Sequence, residues 1–451
     1  MKKVFLLAIL AGTQLVFGQN DSIVLRRLSD EILLQGKCYD DLRVLCKTIG
    51  HRLSGSVQAD QAVVWAKNTL KDAGADTVWL QPVEVPVWTR GEEFFKLQTP
   101  RGEWLPIPAL SLGNMEGTEG SVLEKEVIAV PDFKTFASLD ASEVEDKIVF
   151  FNYAFRQDLV NTFEGYGDAV AYRWNAVNEA AAKGAAAVVI RSIGTNQDDV
   201  AHTGSSHYVA QGRKIPAMAL GNASADQLFL ACKAGKVKAQ LMSQCKNQGT
   251  KISYNVIGEL RGTDFPNEYL VVAGHLDSWD VGEGAHDDGA GCVQSIEVLR
   301  TFKSLNILPK HTLRVVLYMN EENGMKGGLA YADSALSKQE KHLFALESDA
   351  GGFVPRGISL EMPEVMKKKV QAWRPLFLPY GLHDFEKEGG GVDIGPLGKQ
   401  QVPLAGLLPD GQRYFELHHT PVDVFEAVNH RELKLGAWAM AALIYLVDQE
   451  F

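Results

Sequence analysis

Between residues 274 and 291 the chain reads GHLDSWDVGEGAHDDGAG, which gathers imidazoles and carboxylates in a glycine-rich stretch. The run before it, Tyr269-Leu270-Val271-Val272-Ala273, is apolar and short enough to be a buried parallel strand. His275 and Asp277 stand where that strand would end, and Asp287 and Asp288 follow among glycines. Helical spacing then begins, with Ala290, Val293, Ile296, Leu299 and Phe302 in phase. Open α/β sheets bind ligands at the carboxyl ends of their strands. Neutral imidazole with carboxylate is a donor set suited to zinc. A lone His after a strand is more often structural, and a Gly-rich Asp pair also fits a turn or a calcium loop. The calcium loop needs oxygen donors at alternate positions, which this stretch does not supply.

Later segments decide between these readings. Leu313-Arg314-Val315-Val316-Leu317-Tyr318-Met319 has the pattern of the next strand and ends in Asn320-Glu321-Glu322-Asn323-Gly324. Phe344-Ala345-Leu346 ends in Glu347-Ser348-Asp349-Ala350-Gly351-Gly352. Near the end of the chain comes Leu417-His418-His419-Thr420-Pro421-Val422-Asp423. Separate segments thus deliver His, Asp, a Glu pair, Asp and His, in an order that coincidence explains poorly.

On these motifs the chain resembles the di-zinc exopeptidases, the family that includes secreted bacterial aminopeptidases. GHLDSWDVG, DDG, NEEN-G and ESDAGG are closest to its plasma glutamate carboxypeptidase (carboxypeptidase Q) branch. The resemblance covers roughly Leu42 to Trp88 and Tyr254 to the C-terminus. It implies two Zn2+ per chain, with His275 and Asp349 on one ion, Glu322 and His419 on the other, and Asp287 bridging both. It makes Glu321 the general base that takes a proton from water and passes it to the leaving amine. Asp277 is expected to accept a hydrogen bond from the His275 ring and so fix its tautomer. Asp288 matches the family position where a cis peptide is expected, and His418 is expected to line the site. Ile49 to Ser56 resembles a motif near the substrate cleft, although a helix-connecting loop with a Ser N-cap accounts for it equally well, and His51 is not taken as a ligand.

The function this implies is an exported metallo-exopeptidase that hydrolyses short peptides or dipeptides with a free N-terminus. A carboxypeptidase of the same family and a single-zinc glutaminyl cyclase are the alternatives; a non-catalytic binding module would not retain the full ligand set. The free N-terminus is argued from charge. Asp280, Glu283 and Asp288 lie near the ligands in sequence, while the nearest basic residues are Arg261 and Arg300. Surplus negative charge favours a substrate ammonium over a carboxylate. Arg173 or Arg213, from the middle of the chain, could reverse this by supplying a cation to the cleft. Trp279, Asp280, Tyr414 and Phe415 are expected cleft residues.

The elements that must position this site follow from pattern and composition. At 451 residues the chain suggests two or three domains, and 46% hydrophobic with 22% charged residues is ordinary for a globular protein. The expected fold is α/β, a three-layer sandwich with a mostly parallel central sheet, and the resemblance implies an inserted protease-associated domain. The expected divisions are a signal peptide at 1–18, catalytic parts at 19–118 and 249–451, and the insertion at 119–248. Lys2 and Lys3 precede an apolar run from Val4 to Leu10, and Val16-Phe17-Gly18 offers a cleavage site, so export to the periplasm or medium is expected. No later run is long enough to span a bilayer, so no membrane association is expected after cleavage. A net charge of −11 argues against nucleic acid as a partner; a peptide substrate and, by the resemblance, a homodimer are expected instead. Five cysteines are too few for a disulfide scaffold, though Cys232 with Cys245 could pair, while Cys38 and Cys46 would sit too far apart on a continuous helix.

Overall fold

The apolar runs that end in titratable residues fold as strands, and their sheet order brings those ends together. A computed structural model describes residues 21–451, so the expected signal peptide lies outside the described residues. The central sheet contains β1 (Thr77–Thr89), β2 (Lys246–Leu260), β3 (Phe265–His275), β4 (His311–Tyr318), β5 (Lys341–Glu347), β6 (Pro355–Glu361) and β7 (Leu404–Pro409). They lie in the order β1-β2-β4-β3-β5-β7-β6. β4, β3, β5 and β7 are parallel neighbours. The β1–β2, β2–β4 and β6–β7 ladders are antiparallel. The expected mostly parallel sheet is therefore corrected to a mixed one, parallel at its centre and antiparallel on both sides. On the β1 side the reason is the excursion between β1 and β2: the chain leaves along one and returns along the other, pairing from Thr77↔Glu259 to Thr89↔Lys246. Such a ribbon needs no crossover helix.

Side-chain alternation along β3 explains the layers. Leu270 and Val272 pack in one cluster with Val293, Ile296, Trp438 and Leu443, from the helices Ala290–Ser304 and His430–Glu450. Val271 and Ala273 face the other way, onto Tyr331, Ala332 and Ala335 of the helix Lys326–Ser337. Both faces of the strand are thus buried, which is why its sequence is apolar throughout. The last helix is buried on nearly all sides from Ala437 to Val447, as its all-round apolar pattern requires.

A second, eight-stranded mixed sheet comes from the chain between β1 and β2. Its first strand, Glu93–Gln98, lies upstream of residue 119, and its last is Val237–Ser243. The helices Thr162–Ala182 and Asn222–Ala234 belong to this unit. The two sheets are tied near the site. Arg90 forms a two-pronged ion pair with Asp280, at 2.9 and 2.6 Å, and Trp88 meets Trp279 edge to face. All five cysteines are free thiols, so Cys232 and Cys245 are not paired. No described helix is long and apolar enough to cross a membrane.

Candidate metal centre

Strand ends deliver the first donors. His275 closes β3, and the parallel neighbours β4 and β5 end just before Glu321-Glu322 and Asp349. The Nε2 atom of His275 lies 3.2 Å from Asp287 Oδ1 and 3.3 Å from Asp349 Oδ1. On the other side, His419 Nε2 lies 3.3 Å from Asp287 Oδ2 and 3.1 Å from Glu322 Oε2. The two oxygens of Asp287 thus face different imidazoles, which is the geometry a bridging carboxylate needs. His418 Nε2 approaches Asp287 Oδ2 at 3.8 Å, and its ring stacks on that of His419. The structure therefore brings together all five residues read as ligands, with Glu321 on the wall of the same cavity. His51 is not among the groups gathered there.

Asp287 is held by its backbone. Asp423 accepts hydrogen bonds from the amides of His286 and Asp287 at 2.8 and 3.1 Å. Asp288 accepts from the amides of His275 and Gly291, and the Asp287–Asp288 peptide is cis. Arg52, fully buried, spans the loop after β3 by donating to the carbonyls of Leu276, Glu283 and Gly284. The Ile49–Ser56 motif is thus a brace, and Ser56 also caps the next helix by accepting from the Ala59 amide. The geometry corrects the role expected of Asp277. The His275 ring reaches the carbonyl of Asp277 at 3.0 Å and its carboxylate only at 3.8 Å. The carboxylate instead accepts from the amides of Asn320, Glu321 and Glu322, at 2.7, 3.1 and 3.3 Å. It holds the segment that carries the expected base.

The charge argument for an ammonium subsite is also corrected. Asp280 is paired with Arg90, Glu283 with Lys47, and Asp288 with backbone amides. Closeness in sequence did not make these carboxylates free. Of the two arginines named from the sequence, Arg213 donates to the Gly184 carbonyl away from the centre, while Arg173 lines the cavity. Tyr414 and Phe415 line it as expected, whereas Trp279 is buried beneath it.

The second unit also braces the centre, through contacts that no spacing foretells. His202 Nδ1 bonds the His418 carbonyl at 2.8 Å, and the Thr203 amide donates to the His419 carbonyl at 3.0 Å. Burial keeps His202 neutral by pushing its pKa down to about 3, so its ring donates there without carrying charge. No local pattern signals these contacts; they depend on how the two units meet.

The donor set fits cations. Burial drives the Glu321 and Glu322 carboxyls well above their usual range, with Asp287 and Asp349 adding repulsion to both. Asp287 goes the other way, because hydrogen bonds from His275 and His419 outweigh the effect of burial. Glu322 Oε1 is buried with no hydrogen-bond partner. Buried carboxylates in excess of their imidazoles, one with an orphaned oxygen, are matched by divalent metal.

A mixed α/β sheet with buried His and carboxylate donors at its strand ends defines a metallohydrolase-type centre. The sequence profile of Peptidase family M28 matches residues 255–444. Carboxypeptidase Q of Bos taurus is 33% identical over 92% of this chain and 85% of its own length, and that of Homo sapiens 34% over the same shares. A peptidase M28 precursor from Shewanella amazonensis SB2B has a TM-score of 0.90 at 32% identity, over 96% of this chain and 97% of that one. BSAP, a zinc aminopeptidase from Bacillus subtilis, shares the fold at a TM-score of 0.67 and 19% identity, over 91% and 94% of the two chains. The chain belongs to peptidase family M28 and is a metallo-exopeptidase.

Proposed function

We propose that this protein removes single residues from short peptides, dipeptides included, with two zinc ions held by His275 and Asp349 and by Glu322 and His419, sharing Asp287. The observation that carries this reading is the placement of Asp287, one oxygen toward each imidazole. Bound there, the metal pair would supply Lewis acidity at the scissile carbonyl and a nucleophilic water. Glu321 then takes the water proton and delivers it to the leaving amine. The lift that burial gives its carboxyl suits a group that must hold a proton in mid-reaction. Asp277 keeps Glu321 and Glu322 in register through their amides. The eight-stranded unit is read as the inserted protease-associated domain, and export follows from the basic and apolar N-terminal residues.

Two variants test the roles. Glu321→Gln should lower the chemical step at least ~100-fold, the scale of general-base catalysis, while metal content stays near wild type. Glu322→Gln should lose occupancy of one metal. Equal metal loss in both would show that base and ligand have been assigned wrongly.

A further inference from the structure

Among the described residues Trp174 is the only exposed tryptophan and Met325 the only exposed methionine, and both line the cavity over the metal centre. Large apolar side chains left uncovered beside a cleft, while others of their kind are packed away, mark a surface kept for a ligand. Trp174 lies on the helix Thr162–Ala182 of the second unit. Its neighbour Arg173 is buried, with Tyr166 Oη at 2.7 Å and His419 Nδ1 at 3.3 Å, so the indole stands beside the His419 end of the centre. The ring of His207, also exposed, packs against the indole at 5.0 Å between centroids and lines the same wall. Asn178, one turn along that helix, fixes the pair: its Nδ2 donates to the His207 carbonyl at 2.9 Å and its Oδ1 accepts from the Val209 amide at 3.0 Å. Met325 comes from the other unit, just past the Glu321-Glu322 pair. Its φ is +56°, in the left-handed region that glycine enters without strain. Gly324 and Gly327 stand close by, yet position 325 keeps a long side chain in that strained conformation. Asn114 ties the two units together at this end, donating to Ser205 Oγ at 2.9 Å and accepting from Asn323 Nδ2 at 3.3 Å.

We propose that Trp174, His207 and Met325 receive the side chain of the leaving residue, so that the enzyme favours peptides whose leaving residue is aromatic or long and aliphatic. This rests on the exopeptidase reading above and names the residues that select within it. The side follows from the base. The leaving amine takes its proton from Glu321, so the leaving residue lies along the segment that carries Glu321, and that segment runs on to Met325. The residue on the other side of the scissile bond has its own space. At Asp349, Phe163 and Val392 the cavity adjoins a second hollow of about 530 Å³, which those three residues also line. An indole face and a thioether pack against flat rings and unbranched chains alike. A charged side chain set against them would lose water without gaining a partner, since Asn114, Ser205 and Asn323 beside them are neutral.

The test uses the metal-loaded protein and two dipeptide series, one varied in its second residue (glycyl-alanine, glycyl-phenylalanine, glycyl-glutamate) and one in its first (alanyl-glycine, phenylalanyl-glycine). Glycyl-phenylalanine should exceed glycyl-alanine at least ~10-fold in kcat/KM, the scale of a hydrophobic contact, with the difference mainly in KM and glycyl-glutamate no better than glycyl-alanine. Trp174→Ala should compress that ratio and Trp174→Phe should keep most of it. Met325→Gly should compress it as well, yet unfold near the wild-type urea midpoint, because relief of strain offsets the added freedom of the unfolded chain. Neither variant should alter the ratio within the first-residue series. Metal content is measured in each, since Arg173 beside Trp174 touches His419. Equal rates across the second-residue series overturn the proposal, as does a ratio unchanged in both Trp174→Ala and Met325→Gly, or a change confined to the first-residue series. Calorimetry on Glu321→Gln protein separates the two readings. Tighter binding of glycyl-phenylalanine than of glycyl-alanine, with no turnover of any peptide by the wild type, would sink the exopeptidase reading and leave the side-chain site standing.

Discussion

Replacing Asp277 by Ala should cost stability and activity together, but should leave the His275 side of the metal centre filled. The carboxylate is fully buried and accepts three backbone amides, from Asn320, Glu321 and Glu322. Each buried donor left without an acceptor costs about 1–3 kcal/mol. The bond from the Glu321 amide is the least buried of the three, and Glu321 itself is half-buried. Counting the other two fully gives a loss of about 2–6 kcal/mol, toward the upper end for a single substitution. Asp277→Asn keeps one accepting oxygen but turns an NH2 toward donors, so it should lose about half as much. Activity should fall further than stability implies, because a base displaced by ~1 Å loses about 100-fold. The carbonyl of residue 277 survives either change and still accepts from His275 Nδ1. Urea unfolding midpoints, kcat/KM and metal content on the same preparations read all three effects. Wild-type stability in the Ala variant would refute the amide argument. Selective loss of the metal held by His275 would show that the carboxylate, not the carbonyl, orients that ring.

Other expectations follow from the same structure. Chelation should abolish peptidase activity and zinc restore it, with elemental analysis giving about two metals per chain; full activity with one would remove Asp287 from its bridging role. Burial, helped by Arg314, pushes the His342 pKa down to about 4, and its Nε2 meets Tyr331 Oη at 2.8 Å. Because the folded value lies below the unfolded one of about 6.5, this contribution is complete above pH 6.5 and is lost as pH falls toward 4, on the order of 3 kcal/mol. Unfolding free energies at pH 7 and 4.5 should therefore converge in His342→Gln, and an unchanged gap would contradict the assignment. The unreduced, denatured protein should titrate as five thiols. In the native protein only half-buried Cys232, its thiol pushed up to about 11 by burial, should react, and slowly; a mass deficit of two hydrogens would reveal a disulfide instead.

Three of the five expected ligands were legible because each follows an apolar run whose length and branching mark a strand. His275, Glu322 and Asp349 could be read as three strand ends before any pairing was known. Pro82 and Pro86, which cannot donate to a ladder, suit β1 to the sheet edge it occupies. The mixed character of the sheet was hidden, since strand direction depends on where the chain goes between β1 and β2 and not on either strand's own residues. Charge was the least legible property. Asp280 looked free beside the ligands, yet its partner Arg90 is 190 positions away in sequence. The sequence marks Asp277 but not its donors, because spacing shows that a carboxylate is near a ring and not which groups face it. Arg173 was named only as a residue able to change the charge of the cleft; its burial and lack of a carboxylate partner exist only once the second unit is folded against the first.

The backbone contacts from His202 and Thr203 to the His418–His419 segment have a kinetic consequence. His202 and His418 are 216 positions apart, and the helix bearing Arg173 is 246 positions from His419 at that contact. Bringing such distant parts together pays a large loop-closure entropy before any contact offsets it, so these are late events in folding. During synthesis β3, β4 and β5 can emerge and pair while the last imidazole is still missing. The two halves of the centre thus mature at different times: the His275–Asp349 side can form with the sheet, and the Glu322–His419 side only when the C-terminal segment docks under the second unit. On the proposed two-metal assignment, a newly made chain would pass through a stage in which the sheet is formed and one metal can be held, yet hydrolysis has not begun.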